Sequence, residues 1–429
     1  MSTPFAIGKK VKLSDGDEVT VKKLLGEGGQ GYVYLVSYLG KDCALKYYKK
    51  APGDEFYKNL SQNIENGAPT DKFLWPEAIT EIDKAGCFGY VMALRPNNFV
   101  EFSAILNAKS TFTSFNAIAN AALLITHSFR ELHRKGYSYQ DLNDGNFFFD
   151  VTTGDVLICD NDNVSPHGVN MGIKGKGRYM APEVVLGKSM PNDLSDYFSL
   201  SIILFMLMFG NHPLEGERVA KVSCLTDAAE RIIYGSEPVF LYDPQRLDNR
   251  PSPVLHKNVI NRWTFFPKNI KDAFVSAFSK ECMNNPNKRM PENEWIKILM
   301  QFRNQIVKCE CGAETLIDIS KSDNACLFCG KKIPNFLSLN VKQQSIPLLP
   351  MQKLYLSQTS NDNDKFMEVS GMVVRNANNP NLWGISNKST SSWQVELPDG
   401  KVVAIPSGKG FPIYKGVKIK FDGVEGVII

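Results

Sequence analysis

Residues 139–146 read Tyr-Gln-Asp-Leu-Asn-Asp-Gly-Asn, and they decide the fold once their neighbours are placed. Asp141 and Asn146 stand five residues apart, and fourteen residues beyond Asn146 the apolar run Val156-Leu-Ile-Cys159 ends in Asp160. Then comes Gly175-Lys-Gly-Arg-Tyr-Met-Ala-Pro-Glu183. Upstream, Leu25-Gly-Glu-Gly-Gly-Gln-Gly-Tyr-Val-Tyr-Leu35 sets Gly26, Gly28 and Gly31 at G-x-G-x-x-G spacing. Val33 lies two residues further on and Lys46 fifteen residues beyond Gly31. A hairpin of this kind lets glycine backbone approach a nucleotide's phosphates without Cβ collisions. The glycines alone are a weak signal, because ordinary hairpins and dinucleotide folds share them. The carboxylates downstream carry the reading.

In order and spacing these segments resemble the protein-kinase signature H-R-D-L-x-x-x-N, D-F-G, A-P-E, with a glycine-rich loop ahead of it. Asp196 in L-S-D-Y-F and Arg289 in N-P-N-K-R agree, and the resemblance covers residues 15–305. It implies an α+β, bilobal kinase fold that uses ATP with magnesium or manganese. Asp141 would orient the acceptor hydroxyl, and Asn146 and Asp160 would supply hard oxygen ligands to the metal. Gly26, Gly28 and Gly31 would cradle the phosphates and Lys46 would reach them. Val33, Ala44, Met92 and Leu94 would meet the base, the last two in the gatekeeper and hinge stretch. An acidic residue on the following helix should hold Lys46. The family pattern points to Glu65, nineteen residues beyond the lysine, with Glu55 as the alternative. Glu183 and Arg289 are implied to pair, and Asp196 to anchor catalytic-loop amides.

Several positions depart from that pattern. Tyr139 and Gln140 replace His and Arg, the Arg being the usual clamp for a phosphorylated activation loop. Between Asp160 and Glu183 the only hydroxyl side chains are Ser165 and Tyr179. Clamp and target are both missing, which predicts activity independent of activation-loop phosphorylation. Asn143 replaces the catalytic-loop lysine and Lys176 a threonine. Either Lys176 restores the lost charge from the opposite loop or it points to solvent. D-F-G has become Asp160-Asn-Asp162, so Asn161 loses the phenylalanine's packing. Asp162 is either a further metal ligand or, the preferred reading, a solvated loop acid. The basic run Lys174, Lys176, Arg178 hints at acidic substrates or is a solvated loop.

The 429-residue chain has room for several domains. With 43% hydrophobic and 22% charged residues it reads as a soluble globular protein, and a net charge of +4 argues for no nucleic-acid partner. The start of the sequence lacks a signal-peptide core, and the longest apolar run, 200–210, is too short to span a bilayer. No membrane partner and a cytoplasmic location are expected. Cys43, Cys87, Cys159, Cys224 and Cys282 suit buried thiols in a reducing compartment.

Cys309-x-Cys311-Gly and Cys326-x-x-Cys329-Gly form two pairs separated by fourteen residues. Four soft ligands with a glycine after each pair favour a closed, structural zinc site over free or disulfide-bonded thiols. The tail is strand-rich, at 371–374, 393–397, 401–405 and 417–421. It loosely resembles the later strands of forkhead-associated β-sandwiches. Arg375 is its only arginine and has no place as a phosphate ligand, and Ser386 and Ser389 are weak candidates, so a protein-interaction or regulatory role is preferred.

The expected organisation is therefore a kinase N-lobe at 15–95, a C-lobe at 96–307, a zinc ribbon at 308–333, a linker at 334–352 and an all-β, sandwich-like domain at 353–429. This order resembles bacterial Ser/Thr protein kinases, which implies a protein substrate and partners of phosphatase and von Willebrand type. The alternative is a pseudokinase scaffold that binds nucleotide and assembles partners.

Overall fold

Alternation along the strands builds the first sheet. The computed structural model describes residues 4–172, 175–376, 379 and 382–429. Six antiparallel strands, β1 (Lys10–Lys12), β2 (Glu18–Glu27), β3 (Gly31–Tyr38), β4 (Lys41–Tyr48), β5 (Pro76–Ile79) and β6 (Gly89–Ala93), pair in the order β1-β2-β3-β4-β6-β5. On β4, Cys43, Leu45 and Tyr47 join the core of one face with Val19, Val21, Tyr34 and Val91. Ala44 and Tyr48 face the other way and cluster with Leu60, Leu74, Tyr90 and Met92. With a side-chain period of two, Lys46 must share the second face, between Ala44 and Tyr48. Helix α1 (Asp54–Asn66) contributes Leu60 to that cluster.

The helical region that follows holds α2 (Phe102–Leu106), α3 (Phe115–Arg134), α4 (Pro182–Val185) and α5 (Asp193–Phe209). Three short strands, β7 (Val100–Glu101), β9 (Phe147–Phe149) and β10 (Val156–Ile158), form a small sheet. β8 (Tyr137–Ser138) pairs with β11 (Ser165–Pro166). Together these strands hold the loops of residues 139–146 and 159–164. The longest apolar run forms the C-terminal half of α5, where every residue from Leu200 to Phe209 is buried. Asn192 caps its N-terminus through Ser195, and Gly210 ends it at φ 72°. No helix among the described residues is long and apolar enough to cross a membrane.

By compactness the chain divides into two units. One comprises Met1–Thr111, Leu124–His256 and Val275–Glu292, the other Phe112–Leu123, Lys257–Phe274 and Asn293–Ile429. Residues 293–307 therefore group with the β-rich region. Within that unit Arg303 stacks 3.5 Å over the Tyr355 ring and donates to the Phe366 carbonyl at 2.6 Å, and Gln358 donates to Asn304 Oδ1 at 2.9 Å.

The tail carries a six-stranded and a four-stranded antiparallel sheet around Leu339, Ile346, Val373, Ile385, Trp393, Val395, Ile419 and Phe421. The expected linker at 334–352 requires correction, because Ser338–Val341 and Gln344–Pro347 are strands of the six-stranded sheet. Leu339, Val341 and Ile346 alternate inward there, so burial across the sheet sets the conformation. Ser389 is buried and its hydroxyl donates to Asn387 Oδ1 and Ser391 O, while Arg375 lies 4.9 Å from the Trp383 ring. The Ser389 hydroxyl is thus spent inside the fold.

Candidate active site

The glycine hairpin is the turn between β2 and β3, closed by the Gly28 amide donating to Gly31 O at 2.9 Å. A Cβ added at Gly26 or Gly29 would meet nothing within 4 Å, leaving room for a ligand to approach the backbone. Gly31 differs: a Cβ there would lie 2.5 Å from the Tyr47 carbonyl, so the close pairing of β3 with β4 demands it. Val33 pairs across with Lys46, and Ala44 with Met92. Ala44 and Met92 are buried, and Leu94, just after β6, is exposed.

Lys46 is 7% exposed, and its ammonium donates to Asp162 Oδ2 at 2.8 Å and to Asp160 Oδ1 at 3.3 Å. Burial opposes the charge, but Asp162 and Asp160 outweigh it and raise the lysine's pKa. The Tyr48 hydroxyl also donates to Asp162 Oδ2. Burial, followed by Asp162, raises that phenol well above its ordinary pKa, so it remains a donor.

Two sequence expectations are overturned here. Glu65 does not hold Lys46; it is exposed and accepts from Gln62 at 3.3 Å, and Glu55 is exposed as well. At 3.6 residues per turn, Glu65 lies about half a turn away from Phe56, which faces Tyr48 with ring centroids 5.6 Å apart. Nor is Asp162 a solvated loop acid, since its side chain is fully buried. Asn161 is also buried, and its amide donates to Leu74 O at 2.8 Å and Ile158 O at 2.9 Å. Hydrogen bonds thus replace the packing a phenylalanine would supply. A clue lay in the sequence: Asn59 and Asn63, rather than acids, lie on the helix face that turns inward.

Asp160 has left-handed backbone (φ 56°, ψ 41°), and its side chain is about half exposed. Asn146 is buried, and its Oδ1 accepts from the Asn143 amide at 2.7 Å, leaving one lone pair. Asn143 Nδ2 donates to Asp141 Oδ1 at 3.2 Å, and Lys176 Nζ donates to Asn143 Oδ1 at 2.7 Å. Lys176 therefore reaches the catalytic loop rather than solvent. Lys174, the first member of the basic run, lies outside the described residues. Arg178 is held by Glu215 through two bonds, at 2.5 and 2.9 Å. Burial raises the Asp141 carboxyl, and Lys176 and the Asn143 amide pull it part of the way back.

Buried bonds fix the surrounding loops. Asp196 accepts the amides of Tyr139 at 2.6 Å and Gln140 at 3.1 Å. Arg289 makes a two-pronged bridge to Glu183 at 2.8 and 2.6 Å. Gln140 Nε2 donates to Ser165 Oγ at 2.8 Å and Ser138 Oγ at 3.0 Å, and its Oε1 accepts from Asn170 at 2.8 Å. One ammonium, three hard-oxygen side chains and an open glycine hairpin suit a magnesium–triphosphate group.

A fold that brings a glycine-tipped hairpin and a buried strand lysine together with two adjoining loops, one carrying Asp141 and Asn146 and the other Asp160, is of the kinase class. Residues 19–290, more than half of the chain, match the protein kinase domain family, and the chain belongs to it. It is 23% identical over 316 residues to Protein kinase YegI of Escherichia coli K12, covering 70% of this chain and 47% of that protein. It is also similar to CBL-interacting protein kinase 3 of Oryza sativa, 27% over 139 residues, covering 31% and 29% of the two chains. A third relative is the probable serine/threonine-protein kinase gdt4 of Dictyostelium discoideum, 27% identical over 214 residues, 46% of this chain and 12% of that one. The chain spans about half the length of YegI.

Apart from this site, the sulfurs of Cys309, Cys311, Cys326 and Cys329 lie within 4.8 Å of one another, with 3.7 Å between Cys309 and Cys329 and 3.8 Å between Cys311 and Cys326. Tetrahedral thiolates about 2.3 Å from a zinc ion stand roughly 3.8 Å apart, whereas a disulfide needs about 2.05 Å. Gly312 and Gly330 adopt φ of 89° and 72°, closing each knuckle as their placement after the second cysteine of each pair predicts. Of the five other cysteines, Cys43, Cys87 and Cys282 are buried; Cys159 is half-buried and Cys224 exposed, so Cys224 departs from the buried-thiol expectation.

Proposed function

We propose that this chain is an ATP-dependent Ser/Thr protein kinase that transfers the γ-phosphate to a hydroxyl of a protein substrate. The observation that carries the reading is the pairing of Lys46 with Asp160, whose loop is tied to that of Asp141 by the Cys159 amide donating to Asn146 O at 2.9 Å. Bound magnesium–ATP supplies the phosphoryl group and neutralises the charge that develops on it. Gly26 and Gly28 offer backbone to the phosphates, and Lys46 holds them from the buried side. Asp160 and the second lone pair of Asn146 Oδ1 hold the cation. Val33, Ala44, Met92 and Leu94 enclose the base. Asp141 accepts the proton of the substrate hydroxyl and aligns it, with Asn143 and Lys176 steadying the carboxylate. Glu65 has no part in this site.

The kinase works without activation-loop phosphorylation. Supporting this, Ser165 is fully buried, and Gln140, at the position of the usual arginine clamp, ties the loop down through neutral hydrogen bonds. The cysteine cluster at 308–333 is a zinc ribbon serving as a spacer or docking module, and the sheets of 338–429 form a forkhead-associated-like interaction domain. Radiolabelled phosphate transfer from magnesium–ATP tests the central reading. Incorporation by the unaltered protein and none by Asp141→Asn is the expected result. No incorporation by either, with a generic protein substrate present, refutes it in favour of a nucleotide-binding scaffold.

A further inference from the structure

Lys46 needs an acid to hold it in place, and helix α1 provides none. The residues it turns inward are Phe56, Leu60 and the pair Asn59 and Asn63, while Glu55 and Glu65 are exposed. The acid comes instead from the segment that carries Asp160. We propose that Asp162 is the positioning residue for Lys46, replacing a helix glutamate, with Tyr48 as its supporting donor. This rests on the nucleotide-binding reading above.

Four observations converge on it. Lys46 and Tyr48 both donate to one oxygen, Asp162 Oδ2, which is buried. Tyr48 is two residues from Lys46 on β4, so both emerge from the same face of the strand. Asn59 and Asn63 each donate at 2.8 Å to the carbonyl of Val164, two residues beyond Asp162. Asn161 pins the same segment to Leu74 and Ile158. The helix thus supports the loop that bears the acid, and the lysine's ion pairs run to that loop. In consequence Lys46 and the cation ligand Asp160 are positioned by one five-residue segment, so the lysine is set whenever that segment is set.

The experiment measures magnesium–ADP binding to the full chain by calorimetry, with thermal unfolding as the control for folding. Asp162→Asn should weaken binding about tenfold or more, the size of losing one charge-assisted hydrogen bond. Tyr48→Phe should weaken it less, and the double variant Glu55→Gln/Glu65→Gln should bind as the unaltered protein does. Asp162→Asn combined with Phe56→Glu, which returns an acid to the inward helix face, should recover part of the loss; a merely structural role for Asp162 would give no recovery. Equal binding by Asp162→Asn and the unaltered protein overturns the proposal while leaving the kinase reading standing. No binding by the unaltered protein overturns both. Should Asp162→Asn fail to fold, the double glutamate variant decides: unchanged binding supports the proposal, and a tenfold loss returns the role to the helix and overturns it.

Discussion

Replacing His133 by glutamine should cost stability in a way that depends on pH. His133 is the buried hub between two carboxylates, with Nε2 3.2 Å from Asp196 Oδ2 and Nδ1 hydrogen-bonded to Glu292. Burial disfavours its charge, but the bonds to Asp196 and Glu292 outweigh this and lift its pKa from 6.5 to about 9. A rise of that size corresponds to roughly 3 kcal/mol favouring the charged ring in the fold. The sign follows from which state holds the proton. Below pH 6.5 the ring is charged in both states and the contribution is complete. Between 6.5 and about 9 the unfolded chain has lost the proton and the fold retains it, so stability falls by about 1.4 kcal/mol per pH unit. Above about 9 the contribution is gone. Denaturant unfolding of the unaltered protein and His133→Gln, compared at each pH from 6 to 10, isolates this group, because other titrations cancel in the difference. The gap should narrow by about 3 kcal/mol across that range. A gap that stays constant with pH would refute a charged His133. Because Asp196 also accepts the Tyr139 and Gln140 amides, the same variant should loosen the catalytic loop, read as faster hydrogen exchange there.

Ser165→Ala should leave phosphate transfer within about threefold, since Ser165 is a buried partner of Gln140; a loss of a hundredfold or more in the kinase assay would contradict that. Lys176→Ala removes the donor to Asn143 and the charge that pulls the Asp141 carboxyl down, so turnover should drop about tenfold and the acid limb of the pH–rate profile should move to higher pH. Unchanged turnover and profile would show that the lysine is dispensable. Elemental analysis should find one zinc per chain. Its removal by a strong chelator should expose residues 307–333 to proteolysis, because Cys309 and Cys326 belong to the small core with Val307, Ile317 and Ile333; resistance equal to that of the untreated protein would count against a structural metal.

The order of the motifs, read along the chain, was enough to identify the kinase class, because phosphoryl transfer demands particular residue types at spacings that short loops enforce. The glycine hairpin, Lys46 on an alternating strand, the Asp196 anchor and the Glu183–Arg289 bridge were legible for that reason: each follows from a local period or from a motif position. The tail strands were legible in the sequence, but the two strands within 334–352 were read as a linker. Their pairing partners lie far away in sequence, Leu339 opposite Ile428 for example, and register of that kind is set by burial across the sheet.

What only the tertiary structure decided is which acid meets Lys46. Sequence distance favoured Glu65, which lies on the outer side of its helix. The rotation of α1 is set by Leu60 and Phe56 entering the core, and that rotation leaves both glutamates outside. Asp162, 116 residues from the lysine, takes their place because the fold buries it against Tyr48 and Lys46, where an unpaired carboxylate would be too costly to keep. Local spacing specifies which chemical groups a site contains; the packing of distant segments specifies which of them touch.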